Sequence, residues 1–206
     1  MTRSVGVVNY GMGNLRSVVN AIDMLGATAV VLDRPADLQG MDAVILPGVG
    51  AFGEAMRRLV TSGWPEVLHQ HAFAAQKPFL GICLGMQLLA ERGTEFGDHQ
   101  GLGWFPGAVV RLDRPSSVRV PHIGWNDVVA KRTGGLLATV APSATCYFVH
   151  SFAFEPADES LISGVTEYGG QSFVSAVERD NVFGVQFHPE KSQKHGLAMI
   201  KRFLEV

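Results

Sequence analysis

Pro78-Phe79-Leu80-Gly81-Ile82-Cys83-Leu84-Gly85-Met86-Gln87 passes from an unbroken apolar run into a helix-forming one, with a cysteine at the junction. Pro78–Ile82 shows no polar alternation, the pattern of a strand covered on both faces of a parallel sheet. Leu84–Glu91 reads as helix. The junction has the form G-x-C-x-G, a cysteine version of the nucleophile elbow. A nucleophile on so sharp a turn needs small neighbours that let backbone and substrate come close. The helix N-terminus sets partial positive charge beside the sulfur and favours the thiolate. The backbone N–H of Leu84 then faces a substrate carbonyl as one oxyanion donor. Cys146, inside the apolar run Thr145–Val149, lacks such a context and reads as core.

On the N-terminal side, Ser4–Asn9, Thr28–Leu32 and Ala43–Leu46 repeat the buried-strand pattern. Asn14 stands where a helix cap belongs, Leu15, Val18, Val19, Ile22 and Leu25 follow at helical spacing, and Gly26 closes the helix. Phe52–Ser62 and Trp64–Gln76 read as further helices, the second entered through Pro65. Strands alternating with helices predict βαβ units with right-handed crossovers. The C-terminal half has another texture. Phe105–Leu112, Arg119–Val129, Thr145–Phe152, Leu161–Thr166, Phe173–Glu178 and Val182–Phe187 read as strands joined by Gly-, Pro- and Asn-rich turns, several pairing antiparallel. Gln193–Leu204 makes a closing helix with Leu197, Ile200, Phe203 and Leu204 on one stripe. The expected architecture is α/β: a mixed, mainly parallel central sheet flanked by helices, with antiparallel strands in the C-terminal half, built as one domain over residues 1–206.

The 206 residues carry 17 Lys+Arg against 19 Asp+Glu, a formal net charge of −2, and 47% are hydrophobic. That balance argues against disorder and against nucleic-acid binding driven by bulk charge. No apolar stretch reaches the ~18 residues of a membrane span, and the Val-rich N-terminal segment is too brief for a signal-peptide core. A chain with two cysteines has no disulfide framework, so a reducing cytoplasm is expected.

A reactive cysteine needs a base, and seven histidines are available. His188 stands in Phe187-His188-Pro189-Glu190 at the end of a strand, where positions i and i+2 share a side. Glu190 then orients the imidazole, and Pro189 stops the strand. His150 competes from another strand but has no carboxylate at that spacing. His69 and His71 form an isolated H-x-H on a solvated helix face, and His99, His122 and His195 lie in polar or loop contexts. Cys83, His188 and Glu190 are thus candidate nucleophile, base and orienter, converging at strand ends. Leu46-Pro47-Gly48-Val49-Gly50 follows another buried strand, and its glycines let the backbone aim an N–H at a ligand. Gly11-Met12-Gly13-Asn14 begins like a dinucleotide fingerprint but lacks the third glycine, and neither a phosphate loop nor an H-E-x-x-H zinc motif occurs. No metal and no cofactor are expected.

Pro47-Gly48-Val49-Gly50, Gly81-Ile82-Cys83-Leu84-Gly85-Met86-Gln87 and Gln186-Phe187-His188-Pro189-Glu190 resemble, in order and spacing, the three signatures of class I (triad) glutamine amidotransferases. The resemblance spans essentially the whole chain. Pro121-His122-Ile123-Gly124-Trp125-Asn126, Tyr147-Phe148-Val149-His150-Ser151 and Tyr10-Gly11-Met12-Gly13-Asn14-Leu15 are similar to one branch, the glutaminase subunit of imidazole glycerol phosphate synthase. The resemblance implies a flavodoxin-like amidotransferase fold in which Cys83 attacks the side-chain amide of glutamine, His188 moves the proton and Glu190 orients it. It implies oxyanion donors at Leu84, Gly48 and Val49, and substrate contacts at Gly50 and Gln87. Ammonia would pass to a cyclase subunit, a (β/α)8 barrel in a one-to-one heterodimer, which makes imidazole glycerol phosphate and AICAR in histidine biosynthesis. Asn14, Trp125, Asn126 and Lys191 are expected to face that partner, with a core aromatic the alternative for Trp125 and a solvated cation for Lys191. Neither nucleic acid nor membrane is an expected partner. Three other readings stay open: a glutaminase serving anthranilate, guanylate or pyridoxal phosphate synthesis, a γ-glutamyl hydrolase or related cysteine peptidase, and a non-enzymatic subunit that keeps the fold.

Overall fold

The apolar strands of the N-terminal half build one end of the larger of two sheets in the computed structural model, which describes residues 3–140 and 142–206. In chain order, β1 (Ser4–Val8), α1 (Leu15–Met24), β2 (Thr28–Leu32), β3 (Ala43–Gly48), α2 (Phe52–Thr61), α3 (Trp64–His69), β4 (Phe79–Cys83) and α4 (Leu84–Gln87) come first. β5 (Ala90–Gly93), β6 (His99–Gln100), β7 (Phe105–Arg111), β8 (His122–Ala130), β9 (Ser143–His150) and β10 (Phe152–Pro156) follow. β11 (Ile162–Tyr168), β12 (Gln171–Arg179), β13 (Val182–Val185) and α5 (Gln193–Leu204) complete the described strands and α-helices.

The nine-stranded sheet runs β2-β1-β3-β4-β13-β12-β11-β8-β9, and the four-stranded one β10-β7-β5-β6. From β2 through β13 neighbours are parallel; from β13 out to β9 they are antiparallel. β13 comes late in the chain yet docks parallel to β4, with Gly184 opposite Gly81. The carboxyl ends of β3, β4 and β13 therefore lie side by side, where ligands bind in sheets of this kind.

Each face of the sheet carries its own apolar core. Ala43 and Ile45 of β3 pack on the side of α1 and α5, with Val18, Ile22, Ile200 and Phe203. Val44 and Leu46 pack on the other side with α2, α3 and the small sheet, among Phe52, Leu59, Trp64 and Phe105. This alternation of core is why β3 tolerates no polar residue. Burying each such side chain contributes about 1.5–3 kcal/mol.

Several expectations change in three dimensions. β2 is the edge strand, and only its Leu32 is fully buried. The helix expected over Leu84–Glu91 stops after one turn, because the carbonyls of Leu88, Leu89, Ala90 and Glu91 accept from N–H groups in Gly101–Phe105. Ala90–Gly93 becomes a strand beside β7. The run Thr145–Phe152 breaks at Ser151, and Phe152–Pro156 crosses to the small sheet. Trp64–Gln76 is α-helical to His69 and then widens to a π turn over Gln70–Ala74, which buries His71 instead of solvating it. His122 is buried as well. The buried stripe of α5 is Gly196, Met199, Ile200 and Phe203, with Leu197 and Leu204 at its margin. Asn14 occupies the cap position of α1, but its side chain donates to Ser17 Oγ at 2.9 Å and caps no backbone N–H. Among the described residues no helix is long and apolar enough to cross a membrane.

Candidate active site

Cys83 ends β4 with φ 55° and ψ −111°, a conformation that costs a non-glycine residue energy and persists only where the surroundings enforce it. The enforcement comes from its glycine neighbours. A Cβ on Gly85 would collide with the Leu46 carbonyl oxygen of β3, and one on Gly81 would lie 2.6 Å from the Gly85 carbonyl oxygen. The glycines of G-x-C-x-G are thus required by backbone packing behind the turn, more than by substrate approach. With α4 a single turn, its dipole is a smaller aid to the thiolate than a full helix would supply.

His188 follows β13, which ends at Val185, so Glu190 reaches the imidazole through a 3-10 turn at Pro189–Lys191 and not through strand alternation. The backbone of His188 is clamped on both sides: its N–H donates to the Tyr147 carbonyl at 2.9 Å, and Ser192 Oγ donates to its carbonyl at 2.6 Å. Tyr147 N–H donates to the same Ser192 hydroxyl at 3.0 Å, closing the tie to β9. His188 Nδ1 donates to Glu190 Oε1 at 2.8 Å, and both side chains are almost wholly buried. Burial alone would lower the basicity of the ring. Interaction with the nearby Cys83 thiol and with Glu190 overcomes it and raises His188 from 6.5 to about 9. Nε2 forms no closed hydrogen bond, so the approach to the sulfur is still loose, as catalytic contacts commonly are before substrate tightens them.

His150, the rival base, is out of service. Its Nδ1 donates to the Phe152 carbonyl at 2.9 Å, so its Nε2 accepts from His122 Nδ1 at 3.0 Å. Burial lowers His150 to about 3 and, with Arg114 assisting, His122 to about 4. Cys146 is core, its thiol pushed up to about 12 by burial.

Cys83, Leu84, Gln87, Val49, Gly50 and His188 line one cavity of about 480 Å³, together with Glu95, Phe96, Pro121 and the run Val149–Phe152. Gly48 stands behind them at the end of β3, opposite Cys83, where a Cβ would lie 2.6 Å from the Tyr10 hydroxyl. Gly50 takes φ 98°, which frees the loop to turn into the cavity. Gln87 commits its Nε2 to the Phe152 carbonyl and to Gln186 Oε1, each at 2.9 Å. Asn14, Trp125, Asn126 and Lys191 lie outside the cavity lining. Trp125 is 49% exposed, which removes the core-aromatic alternative. Its ring packs edge-on against Tyr147 at 5.9 Å, and Lys191 Nζ lies 5.9 Å from the same Tyr147 ring. Asn126 donates to the Glu167 carbonyl at 2.9 Å and reaches His122 Nε2 at 3.3 Å.

Two groups, one in the cavity wall and one buried behind Cys83, escape a reading of the chain. Glu95 is the one carboxylate in the lining, held by the Phe52 N–H at 2.9 Å, and nothing in its loop marks it. Gln186 lies inside a signature stretch but draws notice only through its contact with Cys83.

A family model, glutamine amidotransferase class-I, matches residues 6–206. The chain belongs to this family. Among curated relatives, the amidotransferase is 46% identical to imidazole glycerol phosphate synthase subunit HisH of Desulfitobacterium hafniense (strain DSM 10664 / DCB-2), over 97% of this chain and 92% of that one. A protein of the same name from Wolinella succinogenes is 46% identical over 98% of this chain and 99% of its own. Its counterpart from Aquifex aeolicus is 46% identical over 96% and 94%. Among solved structures, a glutamine amidotransferase superposes with TM-score 0.75 at 21% identity, covering 98% of this chain and 97% of that one. PurLQS from Thermotoga maritima superposes with TM-score 0.75 at 19% identity, over 100% and 99%. At such identities the likeness speaks for the fold alone.

Proposed function

We propose that this amidotransferase is the glutaminase subunit of an imidazole glycerol phosphate synthase, working as one domain over residues 1–206 in the cytoplasm. The observation that carries the chemistry is the meeting, in one cavity, of a strained Cys83 with a His188 that Glu190 holds and makes more basic. Full-length relatives bearing that name support the choice of synthase over anthranilate, guanylate or pyridoxal phosphate partners.

Cys83 Sγ attacks the side-chain amide carbon of glutamine after yielding its proton to His188. The tetrahedral oxyanion is met by backbone N–H groups of Leu84 and of the Gly48–Val49 turn, each donor worth ~10²–10³ in rate. His188 gives the proton to the leaving nitrogen, the C–N bond breaks, and ammonia departs. Water then attacks the thioester with His188 as base, and glutamate and the free thiol are restored. Glu95 faces the substrate ammonium, Gly50 shapes the pocket wall, and the uncommitted Oε1 of Gln87 accepts from the substrate.

Ammonia protonated in bulk water is lost to a synthase, so the mouth must be covered by the acceptor enzyme. The cavity wall residue Val149 is paired across the strands with Ile123, and the next outward pair is Tyr147 with Trp125. Ile123, Trp125 and Val149 are exposed apolar side chains on this face, which suits a docked cyclase barrel in a one-to-one complex. Lys191, whose Nζ lies 5.9 Å from the Tyr147 ring, extends this face, and Asn14 is assigned to the partner side with it, whereas Asn126 turns inward with His122 and Cys146. The test is reconstitution with the candidate cyclase. Glutamine-dependent cyclisation, with glutamine hydrolysis slow in the isolated chain and accelerated by the cyclase carrying its nucleotide substrate, is the expected result. Equal hydrolysis with and without the partner would make the chain a free-standing glutaminase.

A further inference from the structure

We propose that Gln186 is a further catalytic residue: its side-chain amide donates an N–H to the Cys83 sulfur, in an orientation fixed through Gln87 by the Phe152 carbonyl. The inference rests on Cys83 being the nucleophile. Gln186 is fully buried, its Nε2 lies 3.7 Å from Cys83 Sγ, and no other element of the proposed mechanism uses it.

A side-chain amide placed beside a sulfur could present either end, and the two ends act oppositely on a thiolate. Here the polarity is dictated by a group that cannot flip. The Phe152 carbonyl oxygen is a main-chain acceptor, so the Gln87 atom 2.9 Å away is the NH₂ nitrogen. The same nitrogen lies 2.9 Å from the Gln186 side chain, so the atom it meets there is Oε1. That leaves the Gln186 NH₂ toward the sulfur. Turning Gln186 alone would set two N–H groups against each other and a carbonyl oxygen against the sulfur. His150 Nδ1 is a second donor to the Phe152 carbonyl at 2.9 Å and fastens the anchor.

The titratable groups around the sulfur are His188, with Glu190 behind it, and the Tyr10 phenol, which burial keeps neutral. His188 must give up its proton during the reaction, and its help to the thiolate goes with it. The Gln186 amide carries no transferable proton, so its hydrogen bond is present whenever the sulfur is anionic, as attacking group and again as leaving group. Hydrogen bonds to ionised acceptors are the stronger kind, and burial enhances them.

The experiment is alkylation of Cys83 by iodoacetamide in the full chain, followed against pH by peptide mass mapping, with buried Cys146 as an inert reference. Gln186→Met removes the donor at similar volume. Gln186→Glu keeps the shape and the bond from Gln87 but turns an oxygen to the sulfur. The Gln186→Met midpoint is expected about one pH unit above wild type, with alkylation at pH 7 about tenfold slower. The Gln186→Glu midpoint is expected to rise further. Glutamine hydrolysis should lose kcat with KM within about twofold. Thermal melts identify which variants fold, and the better folded one decides. A midpoint unmoved in a folded variant, even with a lowered Tm, overturns the proposal and leaves Gln186 structural. A wild-type Cys83 that alkylates like an ordinary thiol, without glutamine hydrolysis, would instead remove the nucleophile itself.

Discussion

The strands β1, β3, β4 and β13 are buried on both faces, whereas β8 and β9 are covered on one and bare on the other. In the first region side chains have no free face, so chemistry can emerge only where strands end: Cys83 ends β4, and Val49 and His188 follow the ends of β3 and β13. In the second, Ile123, Trp125 and Val149 stay exposed while His122 and His150 point inward. The buried histidines of the two regions carry opposite displacements. His188 is raised to about 9 beside Cys83 and Glu190; His150 and His122 are lowered to about 3 and about 4. Burial by itself favours the neutral ring in every case, and only a carboxylate and a thiol in contact reverse it. A buried histidine is therefore a base or a strut according to its partner.

The most damaging test removes the nucleophile. Cys83→Ala should lower glutamine hydrolysis by at least ~10³ while the cyclase still uses added ammonium salts. Hydrolysis within tenfold of wild type would break the assignment of the parallel region as the catalytic one. His188→Ala should fall short of Cys83→Ala or equal it, and Glu190→Gln, which keeps an acceptor on the ring, should lose only about 10–100-fold. If His150→Ala proved worse than His188→Ala, strut and base would be exchanged.

Stability should separate the regions as sharply. Gly85→Ala forces a methyl against the Leu46 carbonyl oxygen, whereas Gly134→Ala in the loop after β8 meets open space. Urea denaturation should show the first destabilised by at least about 2 kcal/mol and the second within about 0.5 kcal/mol of wild type. Trp125→Ala should weaken binding of the cyclase about tenfold, measured by titration calorimetry, yet leave hydrolysis by the isolated chain within about twofold. A catalytic loss equal to the binding loss would mean that the outward face is part of the site.

The finest contrast lies in the pH dependence of stability. His188 binds its proton more tightly folded than unfolded, so its contribution is complete below about 6.5 and is lost as pH climbs through about 9. His150 and His122 stay neutral in the fold while the unfolded chain takes up protons, so stability declines as pH falls from about 6.5 toward 3–4. Urea midpoints across pH should show Glu190→Gln flattening the alkaline limb and His150→Gln the acid one. The reverse pairing would show that the displacements have been assigned to the wrong region.

By itself the sequence determined the local events: the limits of β3 and β4 to within two residues, the elbow at Cys83, and the set Cys83, His188 and Glu190 as groups worth bringing together. These are short-range signals, because an unbroken apolar run and a G-x-C-x-G turn hold their physics within about ten residues. Even the His188–Glu190 contact was foreseen for the wrong local reason, a strand where the chain makes a turn. Only the tertiary structure decided that β13 lies beside β4, that the helix after Cys83 stops at one turn, and that Phe152–Pro156 leaves for a second sheet. It also decided which histidines carry charge, brought Glu95 to the cavity, and joined Phe152, Gln87, Gln186 and Cys83 through their amides. Gln87 and Phe152 are 65 positions apart, and Gln186 and Cys83 are 103. A hydrogen bond or a pKa depends on which distant atom arrives, and no local pattern of residues names that atom.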